Sequence, residues 1–181
     1  MPKAAAQIEF ALRPMRDGER FGALKHGEEE FLALKIFAKQ KAAKFEAANL
    51  ARTYVFEDKT VGKVAAYVTL TCSEVVSENR LLEAEVAFPY KNYPAVKIAR
   101  LLVGSDYRGT GYRLGTALVD FTVGIARSEI CPAVGCRFVV VDAKKASVSF
   151  YEACGFTLID TDENKARDTP VLFMDLHKAA A

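Results

Sequence analysis

Residues 93–118 read YPAVKIARLLVGSDYRGTGYRLGTAL, and the rest of the chain is organised around them. Residues 98–103, IARLLV, form a β-branched and aliphatic run broken by one arginine, of a length that suits a buried strand. Ser105, Asp106 and Arg108 end the run. Gly109, Thr110 and Gly111 then supply a backbone free to turn tightly, and Tyr112, Leu118, Val119 and Phe121 follow as the apolar side of a helix. A small-residue loop feeding a helix N-terminus is suited to holding phosphates. Unpaired amides converge there, no Cβ keeps a ligand away, and the helix dipole favours negative charge. The dipole contributes about 0.3–1 kcal/mol at an exposed site.

The totals bound the reading. A length of 181 residues suits one domain, 1–181, with a proper core. A hydrophobic share of 51% against 27% charged marks a globular chain rather than a disordered one. The net charge of +2 is too small to argue nucleic-acid binding from composition. No uninterrupted apolar segment approaches a membrane span. The opening MPKAAAQIEF lacks the apolar core of a secretory signal, so a cytoplasmic protein is expected. Cys72, Cys131, Cys136 and Cys154 form no Cys-x-x-Cys pair and are expected to be reduced, several of them buried. His26 and His177 sit in no ligand-like spacing, so neither a metal site nor a histidine-assisted nucleophile is expected.

Along the chain, residues 7–12 alternate as a first strand. Residues 27–48 carry Phe31, Leu32, Leu34, Ile36, Phe37 and Phe45 at helical spacing, as one long helix or two shorter ones. Residues 53–56 and 64–71 read as strands joined by a hairpin around Asp58, Lys59 and Thr60. Residues 73–91 show no period and read as a loop with a short helical piece near Leu81. Residues 138–141 are a strand, residues 147–153 a short helix closed by Gly155, and residues 156–159 and 171–176 strands flanking a polar loop, 161–169. Alternating helices and strands imply a mixed α/β sheet.

Arg108-x-x-Gly111, followed after a further strand by Phe150-Tyr151-Glu152-x-x-Gly155-Phe156, resembles the GNAT superfamily of acyl-CoA-dependent N-acetyltransferases. The resemblance runs from about Gly27 to Leu176. Tyr93-Pro94-Ala95 and Val141-Asp142-Ala143-Lys144 resemble its toxin branch (TacT and AtaT type), which acetylates the α-amine of aminoacyl-tRNA. The GNAT resemblance implies an α/β (α+β) fold: a twisted, mostly antiparallel sheet splayed at its central strand, with helices on both faces. It implies acetyl-CoA as co-substrate. Backbone groups of Leu101, Leu102 and Val103 would take the pantetheine arm, and the loop of Arg108, Gly109, Thr110, Gly111, Tyr112 and Arg113 the pyrophosphate. Tyr151 matches the family's general acid, which protonates the departing thiolate; a phenol of pKa near ~10 carries its proton at neutral pH. One departure stands out. The family has Gly or Ala where this chain has Arg113, so either Arg113 takes that slot or two residues are inserted and Gly115 does.

Each sharp reading has a bland counterpart. Gly109-x-Gly111-x-x-x-Gly115 has the wrong spacing for a dinucleotide fingerprint. Without the Phe150 to Phe156 motif, Gly109 and Gly111 would be an ordinary tight turn. Tyr151 is either catalytic or a core tyrosine with a satisfied hydroxyl. Phe150 and Phe156 are core. Arg100 either faces the acceptor groove or pairs with a carboxylate. Lys35, Lys39, Lys41, Lys44 and Arg52 against the lone Glu46 are a solvated helix face or a phosphate-binding surface.

No residue announces itself as a general base; Glu74 and Glu85 are present but unplaced. A lysine amine, pKa near ~10.4, needs help to lose its proton, whereas an α-amine near ~7.7–8 is partly neutral already. A missing base leans toward an α-amine, and the toxin resemblance implies the leading expectation: acetyl transfer to the α-amine of aminoacyl-tRNA, docked through Lys39, Lys41 and Lys44. The toxin resemblance also implies a homodimer and an antitoxin partner. The alternatives are a housekeeping enzyme for a small-molecule or protein amine, and a non-catalytic CoA-binding regulatory module.

Overall fold

The computed structural model describes residues 8–76 and 92–178. Strands β1 (Phe10–Pro14), β2 (Arg52–Asp58), β3 (Lys63–Val76), β4 (Asn92–Val103), β5 (Phe138–Asp142), β6 (Thr157–Leu158) and β7 (Val171–Asp175) are hydrogen-bonded in the order β1-β2-β3-β4-β5-β7-β6. β4 and β5 run parallel, from Ala95 opposite Phe138 to Ile98 opposite Val141, and β4 continues past that ladder to Val103. The β1–β2, β5–β7 and β6–β7 pairs are antiparallel. Helices α1 (Leu32–Gln40), α2 (Ala42–Ala47), α3 (Leu114–Ile125), α4 (Cys131–Val134), α5 (Val148–Ala153) and α6 (Asp162–Ala166) complete the expected mixed α/β fold.

The chain divides into two compact units. The first takes residues up to Thr69 together with Arg100–Leu118. Its core gathers Phe21, Leu24, Phe37, Val55, Tyr67 and Leu102. Burying one such side chain contributes roughly 1.5–3 kcal/mol. Three buried hydroxyls find partners here. Thr53 and Thr69 share a hydroxyl hydrogen bond of 3.0 Å, and the Tyr67 hydroxyl donates to the Leu34 carbonyl at 2.7 Å. The second unit takes Leu70–Ala99 and the residues from Val119 onward. Val75, Tyr93, Ala95, Phe138, Val140 and Ile159 form its core, with Phe138 edge-on to Tyr93 and to Phe173.

Several boundaries differ from the sequence reading. The first strand begins at Phe10, and the 27–48 segment resolves as a 3-10 turn, Glu29–Phe31, and two helices that meet at Lys41, where φ widens to −118°. Residues 73–76 extend β3 rather than opening a loop, because Val75 is buried while Glu74 and Val76 face out. The helical piece near Leu81 and Glu85 lie outside the described residues. β4 begins six residues earlier than residue 98, at Asn92, with the exposed Pro94 accepting from the Arg137 amide at 2.9 Å. Tyr112 lies outside α3, which starts at Leu114 and turns Leu118, Val119 and Thr122 fully inward. The polar loop after β6 holds α6, capped where the Thr161 hydroxyl accepts from the Asn164 amide at 3.1 Å. The buried Asn164 side chain then ties α6 to Ile159 and to both backbone groups of Val171. None of the four cysteines is buried, against expectation; Cys72 is exposed and the others are half-buried.

Candidate active site

In the first unit, β4 feeds the glycine loop. Leu102 points into the core beside Phe37 and Tyr67, while Leu101 and Val103 are half-buried. Arg100 stacks its guanidinium 4.2 Å over the Phe37 ring, which is how an arginine sits in this apolar strand. Gly104 then donates to the Ala65 carbonyl at 2.8 Å, and Ser105 to Lys25 at 3.0 Å. A Cβ on Gly104 would lie 3.0 Å from Leu24 Cδ1 and 3.1 Å from the Ala65 carbonyl, so the close approach requires glycine.

A short turn, Ser105–Tyr107, is pinned from two sides. The Tyr107 hydroxyl donates to Asp58 Oδ2 at 2.8 Å, and its ring stands edge-on to Phe10. Phe10 packs in the same way on Tyr112, at 5.0 Å between centroids. Arg108 closes the turn with its amide on the Gly104 carbonyl at 3.2 Å. Its guanidinium donates to Glu28 and to the His26 carbonyl and lies over Phe31. The first amide available to a ligand is therefore that of Gly109.

From Gly109 to Thr116, no backbone amide donates to a protein group among the described residues. Gly109, Gly111 and Arg113 all have positive φ, at 69°, 86° and 52°. Nothing lies within 4 Å of a Cβ built on either glycine, so the loop is open to an incoming group. Arg113, not Gly115, is the residue that precedes α3; Gly115 is inside the helix. This donor set suits the phosphates of a CoA thioester: many neutral N–H groups, a helix N-terminus and no acidic side chain between residues 108 and 116.

In the second unit, Tyr151 sits on α5, 5% exposed, with Phe150 and Phe156 edge-on to its ring. Gly155, at φ +90°, ends the helix: Phe156 N–H returns to the Tyr151 carbonyl at 3.0 Å and Gly155 N–H to Glu152 at 2.9 Å. These two bonds and the Tyr151–Phe156 contact make up the αL helix stop anticipated from Gly155. Burial, and to a smaller degree Cys154, pushes the Tyr151 phenol well above its ordinary pKa, so the group keeps its proton. Its hydroxyl has no hydrogen-bond partner among the described residues, unlike that of the buried Tyr67.

Lys39, Lys41 and Lys44 are exposed on α1, α2 and the break between them, and none has an ion-pair partner among the described residues. Arg52 differs: it pairs with Glu46 at 3.1 Å and with Asn49 at 2.7 Å. Glu74 lines a cleft in the second unit with Lys97, Asp142, Glu163 and Arg167, where Lys97 pairs with Asp142 at 2.5 Å. Sequence reasoning missed this cleft because α6 was hidden in a polar stretch. Among the described residues no group of three potential ligands could hold a metal ion, and no helix is long and apolar enough to cross a membrane.

No curated protein matches the chain. Solved structures do. One is the toxin AtaT complexed with acetyl-methionyl-tRNAfMet, at 23% identity and TM-score 0.76, covering 93% of this chain and 96% of that one. A tyrosine-to-phenylalanine mutant of KacT matches at 24% identity and TM-score 0.77, over 94% and 96%. A structure described as a bacterial toxin reaches TM-score 0.81 at 15% identity, over 94% and 93%. The Acetyltransferase (GNAT) family matches residues 19–156, a span that carries both the glycine loop and Tyr151, and the chain belongs to that family of acetyl-CoA-dependent enzymes.

Proposed function

We propose that the chain is a single GNAT domain that acetylates the α-amine of an aminoacyl-tRNA in the cytoplasm, as the toxin of a toxin–antitoxin pair. The observation that carries catalysis is the Tyr151 hydroxyl, which has a buried ring behind it and no partner among the described residues. A core tyrosine would satisfy that group, as Tyr67 does. Acetyl-CoA supplies the acetyl group as a thioester. The amides from Gly109 onward hold the pyrophosphate, and the β4 backbone at Leu101, Leu102 and Val103 aligns the arm. Arg108 serves by fixing the loop through Glu28 and His26. Tyr151 keeps its proton at Oη throughout the working pH range and presents it to the leaving sulfur.

The tRNA acceptor is supported by three lysines that are unpaired among the described residues and by the shared fold with AtaT, whose structures include complexes with an acetylated aminoacyl-tRNA and with acetyl-CoA and an antitoxin segment. A lysine acceptor would need a base to take its proton, whereas an α-amine of pKa near ~7.7–8 needs little help.

The test is transfer of labelled acetyl from acetyl-CoA to a pool of charged tRNA beside a panel of polyamines and peptides. Label on tRNA that is lost on ester hydrolysis, and lost with Tyr151→Phe, is expected. Label only on small amines or peptides would replace the acceptor with a housekeeping one. Tight acetyl-CoA binding without transfer to anything would make the chain a regulatory module.

A further inference from the structure

Cys131 and Cys136 stand at the two ends of one turn, Cys-Pro-Ala-Val-Gly-Cys. The Cys131 thiol donates to the Cys136 carbonyl at 2.9 Å, and the Cys136 thiol to the Phe138 carbonyl at 3.4 Å. Gly135, at φ +73°, reverses the chain after α4 and gives its amide to the Cys131 carbonyl at 3.1 Å, which returns Cys136 toward Cys131. Both feet of the segment are fastened. Arg127 donates from Nε and Nη2 to the Leu176 carbonyl, at 3.2 and 2.9 Å, and the Leu176 amide donates to the Arg137 carbonyl at 3.0 Å. The Arg137 amide holds the Pro94 carbonyl at 2.9 Å, its guanidinium holds Asp175 at 2.8 Å, and Phe138 begins β5 fully buried. The two thiols therefore stay near each other as long as the start of β5 stays folded. The crown of the turn is open to solvent: residues 132–135 are exposed, Val134 to 77%.

We propose that Cys131 and Cys136 form a modification site, a dithiol that closes to an intrachain disulfide by exchange with low-molecular-weight disulfides and reopens with thiols. Burial, then the Cys131 side chain beside it, push the Cys136 thiol up to about 11, so Cys136 carries its proton at neutral pH and Cys131 attacks first. The Cys131 thiolate bonds to one sulfur of the small disulfide, whose S–S bond breaks. The first half leaves as a thiolate and takes up the proton that Cys131 gave. Cys136 then gives up its proton and attacks the Cys131 sulfur of the mixed disulfide, and the second half leaves and takes that proton. Two protein thiols are oxidised and one small disulfide is reduced to two thiols, with both protons accounted for. Where the surroundings keep thiols reduced, such a bridge is transient.

The test equilibrates the full chain with mixtures of oxidised and reduced glutathione, traps free thiols by alkylation, and reads intact and peptide masses. The unaltered chain should lose two hydrogens within the one peptide that holds both cysteines, and regain them with excess reduced glutathione. The exposed Cys72 should instead carry glutathione as a mixed disulfide. Cys136→Ser should stop at the adduct on Cys131, and Cys131→Ser should leave Cys136 unmodified. At a ratio that leaves the urea-unfolded chain mostly open, the closed-to-open ratio of the folded chain should be about tenfold higher or more, since the fold holds the thiols together. Equal closure in the folded and unfolded chains would mean that sequence spacing alone pairs the thiols, and would overturn the inference. Separate glutathione adducts on Cys131 and Cys136, a bridge to Cys72 or Cys154, or two thiols that stay free at every ratio would overturn it too. The disulfide is read on the unaltered chain, so the outcome stands whether or not a serine variant folds.

Discussion

The Tyr107 hydroxyl donates to Asp58 Oδ2 at 2.8 Å, joining the glycine loop to the end of β2. Asp58 also accepts from the Thr60 amide at 2.9 Å, and its own carbonyl accepts from Gly62 at 2.8 Å. One buried carboxylate therefore shapes the β2–β3 turn and holds the residue that precedes Arg108. The loop's geometry is inherited from a hairpin far from it in sequence.

That bond makes stability depend on pH in a traceable way. Burial, then the hydrogen bond to Asp58 and the charge of that carboxylate, push the Tyr107 phenol up to about 12. A folded pKa above the unfolded one gives stability that is complete below the unfolded value, about 10, and is lost as pH rises toward 12. For Asp58, burial opposes ionisation, but the hydrogen bonds from Tyr107 and Thr60 prevail and hold the carboxyl below its ordinary value. Its contribution is present above the unfolded value and lost as pH falls through the folded one. Tyr107→Phe should lower the unfolding midpoint at neutral pH, by about 1.5–3 kcal/mol of stability, since a charged acceptor loses a donor. The difference between variant and parent should shrink between pH 10 and 12; a constant difference there would refute the coupling.

Two substitutions next to each other should differ sharply. Glu28 is a largely exposed partner of Arg108, so Glu28→Gln should cost little stability. Gly27 has φ +76°, and a Cβ there would lie 2.6 Å from Arg108 Nη2. Gly27→Ala should cost roughly 1–2 kcal/mol in backbone strain alone. It should also push Arg108 from its seat and raise KM for acetyl-CoA several-fold. Thermal melts and steady-state kinetics give the order; Glu28→Gln proving the worse of the two would mean that the charge, not the glycine, seats Arg108.

Gly155→Ala probes the α5 stop. A Cβ there meets only Met174 Cε, at 3.5 Å, an ordinary contact, so the cost is the φ of +90° and not a clash. About 1–2 kcal/mol of stability should be lost. Tyr151 should shift with the Phe156 return bond, so kcat should fall while KM for acetyl-CoA holds. A fall in stability with kcat unchanged would separate the turn from the placement of Tyr151.

The motifs were legible because local rules governed them. The glycines that needed left-handed φ stood at 109, 111 and 155 in the sequence, and the helix stop after Tyr151 followed from Gly155. What stayed hidden depended on contacts distant in the chain. Arg108 reads as a phosphate ligand until Glu28, Gly27 and Phe31 are seen around it, some 80 residues away. Asp58 reads as a turn residue until Tyr107 reaches it. The α6 helix was missed for a different reason: five residues, all polar or small, carry no apolar period, and only the Thr161 cap marks their start.

The lysines of α1 and α2 decide whether the acceptor is a nucleic acid. Of the five charges expected on this face, Arg52 is tied to Glu46 and Asn49 and contributes little to an open patch, and Lys35 is half-buried. Lys39, Lys41 and Lys44 remain, solvated and unpaired among the described residues. If they meet phosphates, each contact releases counterions, and affinity falls with salt by a slope of roughly 0.7–0.9 per contact on logarithmic axes. Lys39→Glu, Lys41→Glu and Lys44→Glu together should therefore cut tRNA acetylation strongly at low salt and flatten its salt dependence. Acetylation of a free aminoacyl ester, which has no phosphates to dock, should stay near the parent rate. Parallel losses on both acceptors would point to a damaged fold, and unchanged rates on both would show that the basic face is merely solvated.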